Sequence, residues 1–503
     1  MDKVVFCLLV LAGICCSSAE VNVEDFFTDA TETTSFHTTP RPEASHPPIV
    51  ESTSDTLSDI YPDHTEFFTT TTSTAAPEEA SVPDPSAVFQ DDEHSNEEEE
   101  EVASSSSENV CDGELSHADM QTFEHAMNAF SKDLLKQVEL ESESPNVVVS
   151  PFSIGLGLLQ LTLGAENATE KKILETLHVE SLQCLHEKLQ KVTKRLVASS
   201  LSVATRMYVK KDFHIKRKFL KRSEQFYGTK PVNFKQNMRQ TLEAINKWVS
   251  DVTRGKIPHF LSELQPNVVL ILLNAIHFKG LWKNRFDPTK TVQDVFNIND
   301  EESVMVDMMQ SGKYPLSFFL HEKLESQVAR LPFKGNMSFV IVMPLQMNWN
   351  LSRLLDNLNR TELYNRFHKE KPTILRVPKL NLDFKLQLNN VLSKLGLEQL
   401  FTHPNLKGIS DDPLFVSSVE HQSTLQLNEE GVEAAAVTAS VMSRSLFTFS
   451  INRPFLYFLF DDITGLPIFL GYVRNPKPGS QKKTKDQSIN LDSRRFTKGS
   501  IPK

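Results

Sequence analysis

The sequence predicts a mixed α+β domain, on three observations. Helical periodicity fills the first part of one long globular stretch. Short apolar runs of strand type fill the last part. No linker or internal repeat divides the two. The globular stretch runs from Cys111 to Pro476, long for one domain but undivided. Apolar residues recur every three or four positions over Ala118–Val138, Ser153–Leu163, Thr169–Leu177, Leu182–Val197 and Gln240–Asp251, which predicts helices there. Val268–Phe278, Ser338–Met343, Thr373–Pro378, Leu446–Ile451 and Pro467–Val473 are short apolar runs and predict strands.

The flanks read differently. Met1–Ala19 has a charged start, an apolar core and a small-residue end, the pattern of a secretory signal cleaved after Ala19. Its apolar run is shorter than the ~20 residues a membrane span needs. Residues 20–110 are rich in Thr, Ser, Pro and Glu and carry 23 acidic residues against the single Arg41. That composition cannot bury enough apolar surface to offset the entropy of ordering, so a disordered, O-glycosylated arm is expected. Residues 477–503 hold eight basic and two acidic residues and read as a disordered basic tail. An acidic arm on a mildly basic body fits self-screening or charged partners, or two solvated ends.

Three of the five cysteines leave with the signal. Cys111 and Cys184 then either pair with each other in an oxidising compartment or stay as free thiols. Asn167, Asn336, Asn350 and Asn359 head glycosylation sequons, all within the globular stretch. The fifteen histidines show no metal-ligand spacing, and no catalytic triad or phosphate loop is visible. No metal, cofactor, nucleic-acid partner or membrane partner is expected, and the chain reads as a monomer that is not an enzyme.

The segment from Asn428 to Phe455 is the most informative. A run of small residues with four alanines leads to Arg444, and beyond it the sequence turns apolar and strand-like. Val432, Ala434, Ala436, Thr438 and Ser440 alternate, so in a strand they share one face, and each is small enough to slip between existing strands. The other face carries Glu433. No other Lys or Arg lies between Gly431 and Arg453, so a trypsin-like protease has one bait. A bait joined to an insertable strand is the logic of a suicide inhibitor, while a merely mobile Ala-rich loop is the competing reading.

Seven further motifs carry a family resemblance. They are Val149–Ile154, Ile245–Val249 with Thr253–Ile257, Asn274–Trp282, Phe286–Pro288, Met308–Gln310, Leu331–Phe333 and the closing Phe449–Leu459. In this order, over residues 111–476, the chain resembles the serpins. That resemblance implies three sheets, eight or nine helices and an exposed reactive loop that inserts into the central sheet after a protease attacks it. It places the hinge at Glu429, Glu430, Gly431, Val432, Glu433, Ala434, Ala435 and Ala436. Ser150, Ser153, Asn274 and His421 map to a polar cluster controlling sheet opening, and Trp282 to the point where the loop enters.

Gly431 to Arg444 spans fourteen residues, one fewer than most inhibitory members have. Strict counting would make Ser445 the carbonyl donor; side-chain chemistry favours the Arg444–Ser445 bond. The shortened loop, the long arm and the cysteine pair most resemble the branch directed at complement and contact-system proteases, C1r, C1s and kallikrein-like enzymes. The Cys111–Cys184 pair matches one of the two bridges tying the arm to the body in that branch. An anticoagulant acting on thrombin with heparin, and a non-inhibitory carrier, are the competing functions. Arg217, Lys218, Lys221 and Arg222 fall on one helical face that would suit a sulfated polysaccharide such as heparin, and Lys188, Lys191, Lys194 and Arg195 form a second basic set.

Overall fold

The computed structural model describes residues 116–197, 201–431 and 447–484. The signal segment, the acidic arm, Cys111, residues 432–446 and the tail from 485 onward lie outside the described residues.

Among the described residues, eight helices of seven residues or more form α1 (His117–Glu141), α2 (Pro151–Thr162), α3 (Asn167–Thr176), α4 (Leu185–Val197), α5 (Arg217–Tyr227), α6 (Met238–Val252), α7 (Leu351–Asn357) and α8 (Arg360–Arg366). Local chemistry sets their ends. Ser116 caps α1 by accepting from the Asp119 amide, and Ser150 caps α2 ahead of Pro151 at its first turn. Gly228 ends α5 at φ 69°, a left-handed conformation that suits glycine. In α1 the buried residues Phe123, Met127, Phe130, Leu134 and Val138 recur at helical spacing. α2 is buried all round, because it is sandwiched between two sheets.

The described residues form fifteen strands, β1 (Asn146–Val149), β2 (Leu201–Val209), β3 (Val232–Asn233), β4 (Leu270–Lys279), β5 (Val292–Asn297), β6 (Glu302–His321), β7 (Ser326–Pro332), β8 (Met337–Pro344), β9 (Lys371–Pro378), β10 (Leu380–Gln387), β11 (Val416–Leu427), β12 (Phe447–Ser450), β13 (Phe455–Asp461), β14 (Pro467–Val473) and β15 (Lys483–Thr484). One sheet has the order β10-β11-β4-β2-β3. A second runs β1-β14-β13-β8-β7 and reaches β6, whose earlier residues pair with β5 and β9 in a third sheet edged by β12. The three expected sheets are therefore present, two of them sharing β6. α2 fills the space between β14 and the strands β4 and β2, while α6 covers the opposite face of β4 through Ile245 and Val249 packed with Ile271, Leu273 and Ala275.

The first residues beyond Pro476 do not behave as the sequence reading expected. Lys483 and Thr484 pair with Ser303 and Glu302 of β6, and Lys482 lies 3.0 Å from Glu302, so the start of the tail is held on the domain.

Candidate functional site

The five-stranded sheet has a seam at its centre. β10 is antiparallel to β11, and β2 is antiparallel to β4, but β4 and β11 run parallel to each other. Parallel ladders are slightly weaker per residue than antiparallel ones. A strand folding back from the end of β11 into this seam would run antiparallel to both neighbours. The topology thus leaves one weak ladder that an added strand would replace with two better ones.

Side chains staple the seam on both faces. On the face toward α2, Asn274 of β4 sits opposite His421 of β11, and their side chains meet at 2.7 Å between Asn274 Oδ1 and His421 Nδ1. Ser150 N–H donates to His421 Nε2 at 3.4 Å, so Nε2 carries the lone pair and Nδ1 carries the proton. Ser153 Oγ donates to Asn274 Oδ1 at 2.8 Å, and Asn274 Nδ2 donates to Ser153 O at 2.6 Å and to Thr205 Oγ1 at 3.1 Å. Ser150 Oγ donates to Ile468 O at 2.7 Å, tying the cluster to the second sheet. Every member is satisfied, which is what a buried polar cluster needs. Full burial with no charged partner pushes His421 down to about 3, so it is neutral at physiological pH. The four sequence-predicted residues Ser150, Ser153, Asn274 and His421 therefore do come together.

The other face holds a second staple that the sequence reading missed. His277 lies opposite Thr424, with its Nδ1 2.8 Å from Thr424 Oγ1. Burial, with Lys256 and Lys279 nearby, lowers His277 to about 4. Each member lies three positions along its strand from its counterpart in the first staple, an odd offset, so the pair points to the opposite face.

At the upper end of the seam the chain leaving β11 is latched to Trp282. That indole is fully buried and stacked on Phe333 with ring centroids 4.4 Å apart. Trp282 Nε1 donates to Asn428 O at 2.7 Å, its amide donates to Glu430 O at 3.0 Å, and the Phe286 amide donates to Glu429 O at 3.1 Å. Glu429 is buried and would be raised by that burial, but Lys379 at 2.7 Å and Thr291 at 2.5 Å outweigh it and hold the carboxyl below its ordinary range. Hydrogen bonds from Lys279, at 2.6 Å, and Asn428 likewise lower Glu430. Gly431 bridges to Trp282, and a Cβ there would stand 2.5 Å from Trp282 O, so only glycine fits this approach. The ion pairs of Glu429 and Glu430 depend on distant lysines, which no local pattern signals.

The other predicted residues fall as follows. Of the hinge, Glu429, Glu430 and Gly431 are described; Val432, Glu433, Ala434, Ala435 and Ala436, and the bond Arg444–Ser445, lie outside the described residues. Cys184 is disulfide-bonded. Asn167, Asn336, Asn350 and Asn359 are all exposed, and the last two also cap α7 and α8. Arg217, Lys218 and Lys221 are exposed on α5 and Arg222 half-buried, opposite the buried Phe219, Ser223 and Phe226. The basic set on α4 is partly spent on ion pairs, Lys188 with Asp119 at 2.9 Å and Arg195 with Asp461 at 2.6 Å. Among the described residues no acidic, His or Cys group could hold a metal, and no helix is long and apolar enough to cross a membrane.

A sheet with a parallel seam, a polar cluster beneath it and a latched hinge above it is the architecture of a serpin. The family model for Serpin (serine protease inhibitor) matches residues 125–476, and the chain belongs to that family. Alpha-2-antiplasmin of Bos taurus is 46% identical over 386 residues, covering 76% of this chain and 78% of that protein. Plasma protease C1 inhibitor of Homo sapiens, the relative to which the short loop and long arm pointed, is 31% identical over 376 residues, covering 73% and 74%. Of the two, the antiplasmin is the more similar. Among solved structures, mouse protein-Z dependent protease inhibitor superposes with a TM-score of 0.66 at 26% identity, covering 71% of this chain and 98% of its own.

Proposed function

We propose that this chain is a secreted suicide inhibitor of trypsin-like serine proteases, with Arg444–Ser445 as its reactive bond. The protease serine attacks the Arg444 carbonyl, the Ser445 amine leaves, and an ester joins Arg444 to the enzyme. The freed segment then inserts between β4 and β11. Fourteen residues from Gly431 to Arg444 span about 46 Å as a strand, enough to run the length of the twelve-residue β11 and carry the protease to the far end. Ester hydrolysis is outrun when the displaced protease loses its active-site geometry. The observation that carries this reading is the parallel β4–β11 seam, which gains two antiparallel ladders on insertion.

The target assignment is finer. Plasmin is our first candidate, a reading supported by the similarity to alpha-2-antiplasmin, and C1r and C1s are the second, from the short loop and long arm. Kallikrein-like enzymes and thrombin complete the panel. The Cys111–Cys184 bridge, N-glycans on the four sequons and export by Met1–Ala19 belong to the same reading, as does a polyanion face on α5 at Arg217, Lys218, Lys221 and Arg222.

The test is to incubate the purified chain with plasmin, C1s, plasma kallikrein and thrombin, then to look for complexes that survive denaturant. An adduct, with the released fragment beginning at Ser445, is the expected result. Clean cleavage after Arg444 by every enzyme, with no adduct, supports a non-inhibitory carrier instead.

A further inference from the structure

β12 begins at Phe447, three residues beyond Arg444, and its first side chain is not put away. Phe447 is 54% exposed, although Phe449, two residues on and on the same face of the strand, is buried. Phe318 of β6 links the two, with ring centroids 6.1 Å from Phe447 and 5.4 Å from Phe449. Lys371 of β9 reaches over the exposed ring, its Nζ 5.6 Å from the centroid. An aromatic row thus climbs from the core to the rim and ends in a solvent-facing phenyl ring beside an exposed ammonium. Among the described residues β12 is the edge of its sheet and pairs only with β9, and no further strand there covers this row.

Chain reach fixes what must sit there. Three extended residues span at most about 11 Å, whatever path residues 445 and 446 take. A protease engaged with a protein inhibitor covers about 800 Å² of it, a disc of roughly 16 Å radius around the attacked bond. Any enzyme docked on the intact Arg444–Ser445 bond therefore lies over Phe447, with the Lys371 ammonium beside its ring.

We propose that Phe447, supported by Phe318 and flanked by Lys371, is a specificity-determining contact for the target protease on the leaving-group side of the reactive bond. The partner it fits is a trypsin-like enzyme whose rim on that side offers an apolar hollow beside a carboxylate. This rests on the assignment of Arg444–Ser445 given above. Phe447 is neither a catalytic group nor part of the inserting segment, so its effect falls on encounter and not on trapping.

The experiment measures the second-order rate of adduct formation with plasmin and C1s, together with the stoichiometry of inhibition, for Phe447→Ala, Phe447→Leu and Lys371→Glu. Against the faster-trapped enzyme, Phe447→Ala is expected to slow adduct formation about tenfold at unchanged stoichiometry, a loss typical of an aromatic anchor. Phe447→Leu should recover most of it, and Lys371→Glu should slow the reaction most at low salt. Rates within about twofold of the parent overturn the proposal. So does a loss explained by higher stoichiometry or by faster spontaneous inactivation, which would make Phe447 an anchor for β12 only. Sequencing the released peptide separates the premises, because a start other than Ser445 removes the bond assignment itself.

Discussion

Two sheets in this molecule are built from opposite materials. In β13, β14 and β8 every residue is buried, and the strands read Phe-Leu-Tyr-Phe-Leu-Phe-Asp, Pro-Ile-Phe-Leu-Gly-Tyr-Val and Met-Ser-Phe-Val-Ile-Val-Met-Pro, with Asp461 and Ser338 their only ionisable or hydroxyl side chains besides the tyrosines. Its antiparallel ladders leave no seam. In β11, by contrast, Ser418, His421, Gln422 and Ser423 are buried polar residues, and its ladder to β4 is parallel. Dispersion and apolar burial hold the first sheet without regard to direction. The second is held at its centre by two side-chain staples across one parallel ladder. One sheet rests on apolar burial and the other on polar pairing.

The largest expected effect attacks the incoming strand. Ala434→Glu should abolish adduct formation and leave a cleavable substrate, because insertion would bury an unpaired carboxylate. Denaturing gels after incubation with plasmin and C1s read this directly. In the apolar sheet, Leu459→Ala removes a fully buried side chain and should cost about 2–5 kcal/mol, seen as a lower melting temperature of the loop-intact protein with its stoichiometry of inhibition unchanged. His421→Ala at the seam should cost less in the same melt, about 1–3 kcal/mol for the Ser150 amide left without its acceptor and the lost bond to Asn274, yet raise the rate of spontaneous inactivation on storage, which Leu459→Ala should not do.

Acid should act on the seam before the apolar sheet. His421 is held near 3 and His277 near 4, both below the ordinary 6.5 of the unfolded chain. The unfolded state therefore binds more protons below pH 6.5. The stability that the neutral imidazoles supply is fully present above pH 6.5 and falls by up to about 1.4 kcal/mol per unit for each histidine as pH drops toward 4. Melting curves between pH 7.5 and 5 should show this slope, and His277→Gln with His421→Gln should reduce it, leaving the share of His186, which burial also lowers to about 4. The smallest effect is at the latch: Trp282→Phe keeps the stack on Phe333 but loses the bond to Asn428 O, a cost of about 1 kcal/mol in the native melt.

The same contrast explains what the sequence made legible. The strand expected over Pro467–Val473 is β14 to the residue, and the run expected over Ser338–Met343 lies within β8, because an apolar strand announces itself. β11 was not read as a strand, since buried Ser, His and Gln look like surface residues until their partners on β4 and α2 are known. β6 was missed for another reason: Gly312, Lys313 and Pro315 interrupt it where its pairing to β9 shifts register. Asn274 and His421 were named through family resemblance, not from spacing. His277–Thr424 and the Lys379–Glu429 pair stayed hidden because each joins residues far apart in the chain. Arg444 stands out as a candidate bait from composition alone, as the only cation in a stretch of small residues, and lies outside the described residues.

The central claim is that the β4–β11 seam accepts the cleaved loop, and comparing melting temperatures before and after cutting tests it most directly. The protein is cleaved within the loop by a protease of another class that it does not trap, the two fragments are left associated, and both forms are melted under the same conditions. Replacing one parallel ladder by two antiparallel ones predicts that the cut form melts higher, by roughly 10 °C or more. A cut form that melts at the same temperature as the intact protein, or below it, would contradict insertion and with it the proposed mechanism.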